Sequence, residues 1–380
     1  MKFLSTALFI ALISFSCNAP SLGIFTKKTL HEKHAETVED RYKKTPEGRQ
    51  WLDASTSAID NPYPVSIPYK QHGSFLTDRS RAMGLEFAAK RGEQVRISIE
   101  RKSGGPFVLF ADLFRKEALK KELVFAADTS ELSFFVNVDE AGDYVLRLQP
   151  ELFHSGDYTV SITAGPSLTF PVSGNKAKAG SFWGAARDGG KRKHEGVDIF
   201  APKGTPVIAS ADGIITSVKE GGIGGKTVWL RPSDRNISLY YAHLDEQSVQ
   251  AGQRVKKGDL IGTVGNTGNA RTTPPHLHFG VYGYGGATDP WPFVNKTVKQ
   301  PAAVPKKKLD QYLQLTKAHK TLNGVAIKSK TIMIPLAVNA KGYVAELPGG
   351  ELVQTPFNIV KQVSPENAVV YNASTQSTIN

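Results

Sequence analysis

The chain has 380 residues, of which 40% are apolar and 22% charged, and a formal net charge of +12. This is the make-up of a soluble globular protein of two to three domains, and its single cysteine excludes an internal disulfide. The charge favours anionic surroundings such as cell-wall polymer or a membrane surface; nucleic acid is set aside, because no helix-turn-helix, RNP-like or zinc-finger pattern accompanies it.

Taken in chain order, the first element is an export signal. Lys2 precedes an apolar run from Phe3 to Phe15 that is too short to cross a bilayer but suits a signal's hydrophobic region. Cys17 stands directly after it, so residues 1–17 resemble a bacterial lipoprotein signal whose cysteine is acylated. Ser14 replaces the usual leucine of such signals, and cleavage after Ala19 is the alternative. The expected location is the cell envelope or periplasm, with a membrane anchor through the lipid. Residues 18–69 form a polar, partly helical segment in which His31 and His34 lie one helical turn apart; a solvated face is expected there.

Over residues 70–165 the period changes to two. "VRISIE" turns Val95, Ile97 and Ile99 to one face, and "GDYVLRLQP" does the same with Tyr144, Leu146 and Leu148. Half-buried strands at short intervals predict an antiparallel, jelly-roll-like β-sandwich, with His154 a structural loop residue. Residues 166–296 make a third unit, rich in glycine and short strands, which holds four of the nine histidines. A connector over 297–321 carries the Pro/Lys-rich "KQPAAVPKKK" and a short helix, "LDQYLQLTKAH". A small SH3-like β domain over 322–365 and a polar tail over 366–380 complete the expected chain.

The third unit carries the chemistry. In "HLH", His276 and His278 are two apart in a strand, so both face one space roughly 6.6 Å apart at the backbone, with Leu277 in the core. Upstream, "KRKHEGVDIF" supplies His194 and Asp198. Four residues of straight strand span roughly 13 Å, too far for one metal, so the chain must turn between them, and Gly196 sits midway. Glu195 should point away from both. A third ligand would complete a catalytic zinc site with an open position, and either His276 or His278 can serve, leaving the other for protons. His243 ends the strand "LYYAHL", and Tyr241, two residues before it, either lines the groove or packs in the core. The basic, aromatic stretch "SFWGAARDGGKRK" either contacts an anionic glycan or peptide or is a solvated loop.

Together HxxxD, the later lone histidine after "YY", and HLHFG resemble the M23 zinc metallopeptidases, the lysostaphin- or LytM-type peptidoglycan endopeptidases. The similarity covers about residues 178–293, with "GTPVIASADGIITSV" and "GQRVKKGDLIGTVGNTG" flanking the motifs. It implies a mainly β chain whose central antiparallel domain is a duplicated hybrid motif. It implies Zn2+ on His194, Asp198 and His278, His276 as general base, and His243 stabilising the oxyanion or helping to deliver the proton. Pro274, where glycine is common in the family, leaves the chemistry intact and alters the groove. The implied activity is hydrolysis of peptide cross-links in peptidoglycan; the flanking position of the sandwich and the C-terminal unit adds the expectation that they bind the wall or a regulatory protein partner. One alternative is a non-cleaving activator of another peptidoglycan hydrolase. Another is a biotinyl- or lipoyl-type carrier, for which Lys219 is the one suitable lysine, and which leaves the histidines unexplained.

Overall fold

The structure, a computed structural model, describes residues 28–102, 107–118, 120–321, 324 and 326–364. Cys17, the signal and the 366–380 tail lie outside them. Among the described residues no helix is long and apolar enough to cross a membrane.

The alternating strands pack as two sheets face to face. One has the strand order Tyr63–Pro64, Met83–Ala89, Gly142–Pro150, Leu109–Lys116 and Lys121–Ala126. The other contains Tyr69–Phe75, Gly156–Pro166, Glu93–Lys102 and Phe134–Asn137 as consecutive neighbours. Val95, Ile97, Ile99, Tyr144, Leu146 and Leu148 all enter the shared core, as the period of two requires.

The strand Gly142–Pro150 is also buried on its outer face, because two helices cover it. Helix α1 (Leu30–Tyr42) opens with a capping box in which Thr29 and Glu32 satisfy each other's backbone N–H groups. Helix α2 (Pro46–Asp60) opens with Thr45 as cap and Pro46 in its first turn. They bring Val38 and Trp51 onto Phe110 and Leu152. The solvated face expected for His31 and His34 is therefore corrected. His31 is only 4% exposed, stacks on Trp51 at 5.0 Å between ring centres, and donates from Nε2 to Gln149 Oε1 at 2.7 Å. The His34 Nε2 accepts the Leu152 N–H at 3.2 Å. A polar helix can cover a sheet when its few polar buried groups find partners, and here they do.

Two further expectations change at the C-terminal end. The helix predicted over "LDQYLQLTKAH" is instead a strand, Tyr312–Leu315, followed by a second short one, His319–Lys320. Leu313 and Leu315 alternate into a small core with Met333, Val338, Tyr343 and Val353, a period of two that overrides helix-compatible composition. The strands Ile332–Asn339, Gly342–Glu346 and Leu352–Thr355, expected as an SH3-like domain, share that small core and are also joined to the sandwich. Ile332–Asn339 pairs with Tyr69–Phe75 in the register His72↔Val338, which extends the second sandwich sheet. Without that pairing Tyr69–Phe75 would leave a row of backbone groups unpaired at a sheet edge. Between Asn295 and Leu309, which includes the Pro/Lys-rich stretch, there is no regular element.

Residues 178–288 build a third, separate sheet. Its central strand His276–Gly283 lies between Val197–Phe200 and Ser238–Gln247, all antiparallel. Val197, Ile199, Leu239, Tyr241, Leu277 and Phe279 fill the core beneath. The opposite face is the one that carries the chemistry. A short helix, α3 (Trp291–Val294), closes the unit, and its Phe293 carbonyl accepts the Leu168 N–H at 2.8 Å.

Candidate metal centre

The register places Asp198 directly opposite His278, and His278 opposite Ala242 on the next strand. His194 arrives from outside the sheet. It follows a two-stranded hairpin, Ala186–Arg187 with Arg192–Lys193, and its backbone N–H bonds the Ala185 carbonyl at 2.8 Å. The chain bends at Gly196, so the turn required between His194 and Asp198 is present. Glu195 is exposed and outside the cluster.

His194 Nε2, Asp198 Oδ1 and His278 Nδ1 form a triangle with every side 3.0 Å. His194 Nδ1–H donates to the Phe182 carbonyl at 3.0 Å, which leaves Nε2 as a lone pair in the neutral ring. A lone pair aimed at a carboxylate oxygen and at a second imidazole nitrogen is repulsive unless a cation or a proton stands between them. Donors bound tetrahedrally at about 2.1 Å are about 3.4 Å apart, so this N, N, O set fits a small divalent ion such as zinc. Burial opposes the charge on Asp198, but its contacts to His194 and His278 outweigh that and hold the carboxyl well below the usual carboxylate range. Burial also lowers His278, with Asp198 opposing.

Beside the triangle stand two more imidazoles. His276 donates from Nδ1 to the Pro274 carbonyl at 2.9 Å, and its free Nε2 lies 3.9 Å from Asp198 Oδ1. His243 donates from Nδ1 to the Thr267 carbonyl at 2.9 Å, with its ring centre 5.1 Å from that of His276 and 5.9 Å from that of His278. Burial, then the neighbouring His276 and His278, push His243 down to about 4, so its ring is neutral near pH 7. His243 also has a left-handed backbone, φ 62°, which costs a non-glycine residue about 1–3 kcal/mol and collects at functional sites.

That backbone kink decides a point the sequence leaves open. Strict alternation would put Tyr241 on the same face as His243. The register slips between Lys226 and Val228 against this strand, and His243 turns to the site while Tyr241 stays in the core. The Tyr241 hydroxyl accepts the Ser210 N–H at 3.0 Å. Its neighbour Tyr240 faces the open side instead, 6.0 Å from the His278 ring and packed with Trp229 and Tyr282. The sequence does not mark Tyr240, because strict alternation turns it away from His243 and only the kink brings both to one face.

The loop before His194 divides. Phe182 and Trp183 are exposed beside the site, whereas Arg187 turns inward and donates to Asp198 Oδ2 at 2.6 Å. No spacing rule in the sequence marks Arg187.

The five histidine and aspartate candidates thus converge. The family model described as peptidase family M23 matches residues 192–290. Over 121 residues the chain is 40% identical to the L-Ala–D-Glu endopeptidase of Bacillus subtilis, covering 30% of this chain and 36% of that protein. Over 88 residues it is 42% identical to the peptidoglycan DD-endopeptidase ShyC of Vibrio cholerae, covering 23% of this chain and 20% of that one. Among solved structures, the catalytic domain of lysostaphin from Staphylococcus simulans is 36% identical, with 30% of this chain and 90% of that chain covered at a TM-score of 0.28. The chain therefore spans well under two thirds of the curated relatives it matches.

Proposed function

Residues 192–290 form a domain of peptidase family M23, and from that premise we propose that the protein is a zinc-dependent endopeptidase hydrolysing peptide cross-links of peptidoglycan. The observation that carries the proposal is the 3.0 Å triangle of His194 Nε2, Asp198 Oδ1 and His278 Nδ1, with His276 Nε2 outside it at 3.9 Å from Asp198 Oδ1. His194, Asp198 and His278 would hold the zinc, which with two neutral imidazoles and one carboxylate would keep a net positive charge and supply a Lewis acid for a carbonyl and for water.

The chain's own groups then handle orientation and protons. The Phe182 carbonyl fixes the His194 tautomer, so Nε2 is the ligand atom. The Pro274 carbonyl does the same for His276, whose free Nε2 takes the proton of the attacking water and returns it to the leaving amine. His243, neutral and with its Nδ1–H committed to Thr267, presents a lone pair at Nε2. That tautomer supports a role in passing protons rather than in donating to an oxyanion. The exposed Phe182 and Trp183 line the approach from the hairpin side.

Peptidoglycan as substrate is supported by what the relatives are named for. Export, acylation of Cys17 and residence at a membrane of the cell envelope are supported by the N-terminal sequence, and the net charge of +12 suits an anionic wall. A regulatory protein partner is part of the same reading, with the sandwich and C-terminal strands as its seat.

The test uses protein lacking residues 1–17, supplied with zinc and incubated with intact sacculi, with and without a chelator and beside His276→Ala. The expected result, read after muramidase digestion of the treated sacculi, is conversion of cross-linked to uncross-linked muropeptides that the chelator abolishes and the variant slows by roughly 10²–10⁴-fold, with zinc retained. Zinc bound at one per chain with cross-linking unchanged in the mass spectrum would overturn the peptidase reading.

A further inference from the structure

We infer that Arg187 is a positioning residue of the metal centre: it holds Asp198 by Oδ2, so that Oδ1 alone faces the two histidines. The inference rests on the metal-site reading above and concerns a residue outside the ligand set.

A free carboxylate turns easily about its last torsion, which is broad and two-fold. Asp198 therefore has two equivalent oxygens to offer an ion, and binding through both would fill the position that water and substrate need. In this chain the two oxygens are made different. Oδ1 lies 3.0 Å from each of His194 Nε2 and His278 Nδ1, whereas Oδ2 accepts from Arg187 Nη2 at 2.6 Å, a charge-assisted bond.

Arg187 is itself fixed. The same Nη2 donates to Ser181 Oγ at 2.7 Å, and Ser181 is the strand partner of Asp198. Its backbone belongs to the hairpin whose far end is His194, paired as Arg187↔Arg192. One guanidinium thus spans the sheet-edge strand, the carboxylate ligand and the hairpin that delivers a histidine ligand.

The experiment loads the purified chain with cobalt(II), whose visible bands weaken as coordination rises above four. Affinity is read by competition with a chromophoric chelator. Arg187→Met and Arg187→Ala remove the donor at two side-chain sizes, so that either one that folds, by circular dichroism, gives the answer. Arg187→Lys restores one donor, and Lys191→Ala removes a charge from the same hairpin without touching Asp198. The expected result is cobalt binding about tenfold weaker, with weaker bands, in the Met and Ala variants. Most of both should return in Arg187→Lys, and neither should change in Lys191→Ala. Unaltered affinity and spectrum in a folded Met or Ala variant would overturn the inference, as would an equal loss in Lys191→Ala. If the unsubstituted chain takes up no cobalt, the metal-site reading itself fails and this inference with it.

Discussion

Gly196 shows how closely the ligands are fitted. A Cβ built there would lie 2.5 Å from His278 Cε1, 2.6 Å from its Nε2 and 2.7 Å from the Phe279 carbonyl oxygen. The sequence asks this glycine for a turn, yet it is not among the glycines with positive φ, and what the site needs from it is space. Gly196→Ala should therefore push the His278 ring off its place. We expect about tenfold weaker zinc binding by chelator competition, together with a stability loss of about 1–3 kcal/mol in thermal melting. Zinc affinity equal to that of the parent would mean that the ring yields freely. His194, Asp198 and the pair His276 and His278 were legible beforehand as one cluster, because imidazoles and carboxylates at fixed spacings have few other uses together, but the choice of His278 over His276 came from the family resemblance and not from spacing. The Phe182, Thr267 and Pro274 carbonyls that set the three imidazole tautomers were not legible, since any residue carries a carbonyl and only the folded path aims it.

Helices α1 and α2 were legible as helices but not as a cover for the sandwich. Their charged residues interleave, and the groups that make the burial tolerable lie far away in sequence: His31 meets Gln149 across 118 positions. Their packing has a pH signature. Burial, then the nearby Arg147 guanidinium, push His31 from its ordinary 6.5 down to about 3. The unfolded chain thus takes up this proton before the folded one does. Stability from His31 is complete above about pH 6.5 and falls as the pH drops towards 3, by roughly 1.4 kcal/mol per unit between those values. In urea unfolding at pH 7 and pH 4.5, the unsubstituted protein should lose more stability between the two than His31→Gln. His34, shifted in the same direction by burial, stays in both and leaves a common residual slope. An identical loss in the two proteins would show that His31 is not the group that destabilises the helix contact.

At the scale of the whole molecule, the chain order of the units could be read from changes in period and composition, whereas the return of the C-terminal strands to the sandwich could not. An apolar strand fits any open edge, and nothing local to residues 332–339 names Tyr69–Phe75 as its partner. The join is substantial. Leu336, Ala337 and Val344 belong to the same core as Val95 and Leu146. Arg81 and Glu346, both nearly buried, bond across it at 3.2 Å. Removing residues 310–380 should take those side chains out of the core and leave the Tyr69–Phe75 edge without its partner. An open edge recruits other strands, so the shortened protein should melt at lower temperature and form concentration-dependent oligomers in sedimentation. Its metal site should survive, because the core beneath that site is separate and contains none of the deleted residues. Cobalt binding unchanged beside a lowered melting transition is therefore the expected pair of results. A shortened chain that remains monomeric and melts as the whole protein does would make the C-terminal strands an appended module after all, with the sandwich complete without them.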